Sequence, residues 1–140
     1  MSYAGDLSVT EAWELLAADP AARLVDVRTA PEWSFVGRAD LQQLGKSAVL
    51  LSWQVYPQMA VDGDFPAKLA QGLRDTDKAA PVLFLCRSGA RSKAAAIAMT
   101  AAGYSRCYNI AGGFEGDKDG SGHRNAVGGW RFAGLPWVQD

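Results

Sequence analysis

The chain has 140 residues, 49% of them hydrophobic and 21% charged, with 14 basic against 15 acidic side chains and a formal charge of −1. That is one domain's worth of chain with enough apolar material for a core, and the charge balance excludes the broad basic surface that holds nucleic acid. Two cysteines, Cys86 and Cys107, are too few for the disulfide framework of a small secreted protein.

Residues 1–140 read as a single domain with a glycine-rich polar loop at 115–129. The first residues lack the basic start and apolar run of a secretory signal, and no stretch approaches a membrane span. A soluble protein in a reducing compartment, by default the cytoplasm, is therefore expected.

Ser8 with Glu11 has capping-box spacing, and Val9, Trp13 and Leu16 fall on one face, so the first element is a helix ended by Asp19-Pro20. Residues 23–28 (RLVDVR) are short and β-branched at the centre, the pattern of a strand. Residues 30–35 suit one helical turn, with Pro31 at its start. Residues 48–51 are a second strand candidate, and a polar stretch with Gly63 and Asp64 leads into a helix over 66–74. Residues 75–81 form a loop. Val82-Leu83-Phe84-Leu85 is apolar throughout, as a central parallel strand should be. Cys86 to Ser92 follow it, then an alanine-rich helix over 92–102 closed by Gly103. A last short strand spans 106–110, and the remainder is irregular.

Strands alternating with helices imply a parallel sheet covered on both faces. Ligands of such sheets sit beyond the carboxyl ends of the strands, which is where Cys86-Arg87-Ser88-Gly89-Ala90-Arg91-Ser92 falls. A chain turning there from strand to helix aims backbone N–H groups at one spot, and the helix N-terminus adds partial positive charge. Arg87, Arg91 and Lys93 add three cations, with no acid between Cys86 and Lys93. The expected result is an anion cradle with a sulfur at its base, and thiolate is the form such a cradle stabilises. That thiolate can take up a sulfur atom as a persulfide or attack an anionic ester.

The chain resembles the rhodanese-like single-domain sulfurtransferases. Asp26-Val27-Arg28 followed by Glu32-Trp33 is similar to that family's early D-V-R-x-x-x-E motif, and Cys86 to Ser92 is similar to its active-site loop. Residues 107–114, with Ile110 and Gly112-Gly113, resemble its V-x-x-L-x-G-G turn, and Gly134-Leu135-Pro136 its late G-x-P. The resemblance implies an α/β fold with a small, mostly parallel sheet of about five strands flanked by helices on both faces. It implies a persulfide mechanism on Cys86, with a small anionic sulfur donor such as thiosulfate and a thiol or cyanide acceptor. A protein persulfide partner is equally open, and no cofactor, metal, nucleic acid or membrane is called for. Arg87 and Arg91 would attract the anion and stiffen the loop, Ser88 and Ser92 would bond within it, and Gly89 and Ala90 would contribute amides. Asp26 would hold the loop in shape, while Arg28 and Glu32 either pair with each other, brace the early loop or lie solvated.

Two departures stand out. The histidine that many relatives carry after the early motif is absent from Val36-Gly37-Arg38-Ala39, which leaves the rim's shape open. The tryptophan expected soon after Gly113 is missing, and Trp130 is placed to fill that space. Asp117, Asp119, Ser121 and Gly122 hint at a calcium loop, but no glutamate stands at position 128, and a surface loop is the better account. His123, the only histidine, is an exposed loop residue or a rim residue. Trp33 and Trp53 either wall the site's mouth or pack in the core, and Cys107 is a buried bystander or a disulfide partner for Cys86. Two rivals remain: a phosphatase or arsenate reductase, whose loop places its arginine where Ser92 stands, and a non-catalytic binding or sensing module.

Overall fold

The computed structural model describes residues 2–139. A first strand, β1 (Gly5–Leu7), pairs far along the chain before Ser8 opens helix α1 (Val9–Ala18). Both bonds of the expected capping box are made: Glu11 N–H donates to Ser8 Oγ at 3.0 Å and Ser8 N–H to Glu11 Oε1 at 2.9 Å. At the helix's far end Lys46 arrives from 30 residues on and its ammonium donates to the carbonyls of Leu16, Asp19 and Ala22 at 2.7–2.9 Å. Carbonyls at a helix C-terminus have no partner within the helix, and Lys46 serves this end together with the Ala22 amide, which donates to Asp19 O at 3.1 Å.

The chain continues through β2 (Arg23–Asp26), the single turn α2 (Ala30–Phe35), β3 (Arg38–Ala39), a 3-10 turn (Gln42–Leu44) and β4 (Val49–Leu50). A hairpin follows, β5 (Gln54–Val55) and β6 (Ala60–Val61), then α3 (Phe65–Gly72), β7 (Val82–Leu85), α4 (Ala90–Ala101), β8 (Cys107–Ile110) and β9 (Trp137–Val138). The central sheet has five strands in the order β1-β8-β7-β2-β4, every neighbouring pair parallel. Two small antiparallel pairs, β3 with β9 and β5 with β6, lie outside it.

Strand β7 sits at the centre, and its side chains divide between two cores. Val82 and Phe84 face Phe65, Leu69, Ala95 and Met99, where α3 and α4 cover the sheet. Leu83 and Leu85 face Ala12 and Leu16 of α1, with Phe114 and Trp130. Burial on both faces is why the run carries no polar alternation. Each such side chain contributes about 1.5–3 kcal/mol relative to exposure.

Two expectations need correcting here. The alanine-rich helix starts at Ala90, two residues earlier than expected, because Gly89, at φ 120°, ends the turn and stands as N-cap. Ser92, expected as the first helical residue, lies inside the first turn. Strands β1, β3, β9 and the hairpin were not foreseen; each is two or three residues long, too short to show a period.

Candidate active site

Parallel strands β2 and β7 end side by side, with Asp26 paired to Leu85, so Cys86 emerges at the carboxyl edge of the sheet. Its sulfur is buried, at the floor of a cleft of about 290 Å³ lined by Glu32, Gln54, Met59, Arg87 and Arg91 among others. Gly89 N–H donates to Cys86 Sγ at 3.1 Å, and Ser92 Oγ lies 3.2 Å from it. The twelve-residue α4 begins immediately beyond and aims the positive end of its dipole at the same place. A second hollow, about 330 Å³, lies between Arg38, Leu41, Lys46 and Leu50; no cysteine or histidine lines it, and its lysine is committed to carbonyls.

The loop is held open from behind. The turn after β8 brings Phe114 N–H to the Cys86 carbonyl at 2.8 Å, and the Glu115 and Gly116 amides to the Arg87 carbonyl at 3.0 and 3.2 Å. Gly113 makes this approach feasible. Its φ is +64°, and a Cβ there would stand 2.5 Å from Arg87 O and 2.6 Å from Cys86 O. The second of the paired glycines is therefore a packing requirement of the cysteine loop. Trp130 does fill the space beside them: it is fully buried, its backbone N–H donates to Gly113 O at 2.8 Å, and its ring meets Trp13 edge-on at 5.9 Å.

The charges are arranged differently from expectation. Arg91 lines the cleft, but its guanidinium donates to both Glu32 oxygens, at 2.8 and 3.0 Å. Lys93 turns to the Tyr3 ring, 5.7 Å from its centroid. Arg87 is exposed at the cleft and carries the positive rim. Arg28 and Glu32 do not pair with each other and are not solvated. Arg28 is wholly buried, donates to Asp26 Oδ2 at 2.7 Å and to Gly37 O at 2.8 Å, and lies over the Phe114 ring at 4.3 Å. Asp26 thus shapes the loop through Arg28 and Phe114. Ser88 is half-buried at the cleft, Ala90 is exposed there, and Ser92 is fully buried.

Glu32 joins α2 to the first turn of α4. Burial works against its charge, but the Arg91 bonds and charge, helped by Thr29, outweigh burial and hold its carboxyl below the usual carboxylate range. Burial likewise works against the Arg91 charge, and Glu32, with smaller help from Cys86 and Asp26, raises its pKa overall. A carboxyl depressed in the folded state stabilises fully above its ordinary value of 4.5 and loses that contribution as pH falls through its folded value. Glu32→Gln should therefore lower stability at neutral pH by about 1–2 kcal/mol for this largely buried pair. Unfolding in denaturant should show the deficit vanish in acid; a pH-independent deficit would mean the charge is not what matters.

Other candidates fall away from the sulfur. Trp33 and Trp53 do not line the cleft; Trp53 packs edge-on against Phe65 at 5.1 Å. Cys107 pairs with Val82 at the opposite end of the sheet, about 13 Å of strand from Cys86, so the two cannot bridge. Burial pushes the Cys107 thiol up to about 11. Asp119 accepts the Ser121 and His123 amides at 2.8 and 2.9 Å and is a turn former, with His123 exposed. Among the described residues no cluster of His, Cys, Asp and Glu is arranged to hold a metal, and no helix is long and apolar enough to cross a membrane.

Sequence reasoning missed Gln54 and Met59, which reach the cleft from the unforeseen hairpin. It also missed Asn109, whose Oδ1 lies 2.6 Å from Ser92 Oγ, and Asp6, which accepts from Asn109 Nδ2 at 3.1 Å. An asparagine interrupting an apolar buried strand was the one signal available for this pair.

A five-stranded parallel sheet with a cysteine loop leading from its central strand into a helix defines a rhodanese-like fold. A rhodanese-like domain protein from Staphylococcus aureus shares it (TM-score 0.53, 20% identity, 78% of this chain and 86% of that one). So does a polysulfide-sulfur transferase homodimer from Wolinella succinogenes (TM-score 0.62, 23% identity, 96% and 78%). Within that fold the chain belongs to the STR4 middle domain family, which it matches over residues 4–140. It is similar to Rv0390 from M. tuberculosis, a solved structure 47% identical with TM-score 0.89 over 99% of this chain and 100% of that one. It is also 40% identical over 128 residues to the uncharacterized protein RC0915 of Rickettsia conorii, covering 91% of this chain and 92% of that one.

Proposed function

We propose that the protein is a sulfurtransferase that carries sulfane sulfur on Cys86. The observation that carries this reading is a single cysteine sulfur on the floor of an open cleft, met by the Gly89 amide and the Ser92 hydroxyl. In the first half-reaction the Cys86 thiolate attacks the outer sulfur of thiosulfate, the S–S bond breaks, and sulfite leaves with the electron pair. In the second, cyanide or a thiolate attacks the outer sulfur of the Cys86 persulfide, and the thiolate returns. This is covalent catalysis in two steps, with preoriented donors at the charged sulfur. Thiosulfate stands for the class of small anionic donors, which exposed Arg87 would attract; a protein persulfide fits the same chemistry.

Sulfur uptake is favoured over phosphate-ester chemistry because Arg91 is bound at both ends of its fork by Glu32. The sixth position after Cys86, where a phosphatase loop carries the arginine that grips the transferring phosphoryl group, is Ser92. The relation to a polysulfide-sulfur transferase, a likeness of fold, agrees with this choice.

Incubation with thiosulfate should add about 32 Da to the wild-type protein and nothing to Cys86→Ser, read by intact mass. No adduct with any sulfane donor would turn the reading toward a binding module. Hydrolysis of a phosphate ester outpacing sulfur uptake would turn it toward a phosphatase.

A further inference from the structure

The Ser92 hydroxyl has more acceptors around it than protons to give. It is fully buried and stands 3.2 Å from Cys86 Sγ, 3.1 Å from Gly89 O and 2.6 Å from Asn109 Oδ1. A hydroxyl carries one proton. Asn109 cannot turn round and offer its NH₂ instead, because Nδ2 donates to Asp6 Oδ1 at 3.1 Å, an oxygen that also accepts from the Tyr3 hydroxyl at 2.8 Å. The chain from β1 through β8 to α4 thus has a fixed direction. Asp6 orients Asn109, and Asn109 presents only an acceptor to Ser92.

The state of the sulfur then decides where the Ser92 proton goes. A Cys86 thiol donates S–H to Ser92 Oγ, and Ser92 passes its own proton to Asn109. A Cys86 thiolate accepts only, and the O–H bond to it is charge-assisted, the stronger kind. Once the outer sulfur of a persulfide carries the negative charge, the inner sulfur is a poor acceptor, and the nearer Asn109 oxygen takes the proton back. The buried hydroxyl is satisfied in all three states.

We propose that Ser92 is a catalytic hydrogen-bond donor to the Cys86 thiolate and that Asn109, oriented by Asp6, is the positioning residue that takes the Ser92 proton when the sulfur does not need it. This rests on the sulfurtransferase reading for its persulfide state, but its thiol and thiolate states can be tested without any sulfur donor. The other charges near the sulfur are Arg87, the Arg91–Glu32 pair joining α4 to α2, and the Asp26–Arg28 pair at the end of β2. Substitutions at Ser92 and Asn109 leave all of them in place.

The test is the rate of Cys86 alkylation by iodoacetamide, a neutral reagent, followed by peptide mass spectrometry so that Cys107 is read separately. Ser92→Ala should react about tenfold more slowly near pH 7, the size of one hydrogen bond to a charged group, with the deficit closing as base removes the thiol proton. Asn109→Ala should react at least as fast as wild type, because the competitor for the Ser92 proton is gone. A merely structural network would slow both variants at every pH, and that result, or a Ser92→Ala rate equal to wild type throughout, overturns the proposal. Should Asn109→Ala fail to fold, Asp6→Ala on the exposed edge strand frees the Asn109 amide to turn; it too should not slow alkylation, and slowing counts against the switch. If alkylation behaves as stated and thiosulfate adds no mass, sulfur transfer fails while the Ser92 assignment stands. If the mass appears and Ser92→Ala alkylates like wild type, the reverse holds.

Discussion

Gly113→Ala should abolish most of the sulfur uptake at Cys86 while leaving the sheet folded. The new Cβ would lie 2.5 Å from Arg87 O and 2.6 Å from Cys86 O, closer than any real Cβ contact, so the cysteine loop and the turn behind it must separate. The amides of Phe114, Glu115 and Gly116 then lose the carbonyls they now hold at 2.8–3.2 Å. Overpacking costs about 1–3 kcal/mol, and a left-handed conformation adds about 1–2 kcal/mol for a residue with a Cβ. A 140-residue chain at about 0.05–0.15 kcal/mol per residue survives that loss, but its nucleophile does not stay placed. Misplacement by about 1 Å lowers rates roughly 100-fold, and persulfide formation measured by mass against time should fall by that order. Gly120→Ala, whose Cβ meets nothing within 4 Å, is the control and should match wild type in rate and melting temperature. Unchanged uptake in Gly113→Ala would mean that the turn is not what holds the loop.

The elements that could be read in advance are those whose signals are local. Ser8 and Glu11 are three residues apart and cap the same helix, and four consecutive apolar residues at β7 state their own burial on both faces. The cysteine loop was legible because its residues are contiguous. What surrounds it was not. Whether Arg91 meets an anion or Glu32 depends on two segments 59 residues apart, and neither segment's spacing records the other. Lys93 illustrates the same limit: by position it is a third cation of the cradle, two residues from Arg91, but the helix turns it toward Tyr3. Ser92 reads as the start of the helix, yet Gly89 ends the turn first, and the hydroxyl one turn in faces the sulfur. Asp6 reaches the site only because a three-residue strand lies against β8 and sets Asp6 beside Asn109, 103 residues further along the chain. Tertiary pairing, not local propensity, places these groups.

Asp26→Ala should be the most destabilising single substitution near the site. Arg28 is wholly buried, and the Asp26 carboxylate accepts from its Nε at 3.0 Å and from its outer nitrogen at 2.7 Å. Removing the carboxylate leaves a buried guanidinium with the Gly37 carbonyl and the face of Phe114 for company. One nitrogen, Nη1, already has no hydrogen-bond partner, so the site has no spare acceptor to offer. Stranding a buried charge in this way costs about 3–5 kcal/mol, which lowers the melting temperature by about 10–20 °C in a domain of this size. The damage should also reach the chemistry, because Phe114, on which Arg28 lies, supplies the amide that holds the Cys86 carbonyl. Asp26→Leu combined with Arg28→Met removes both charges and should recover at least half of the lost stability, since an apolar pair in such a place is often neutral or better. Thermal unfolding of the single and double variants separates the two explanations. Recovery in the double variant assigns the loss to the stranded charge; a double variant as unstable as Asp26→Ala would assign it to the Asp26 bond with the Arg28 backbone amide, which is 3.1 Å long.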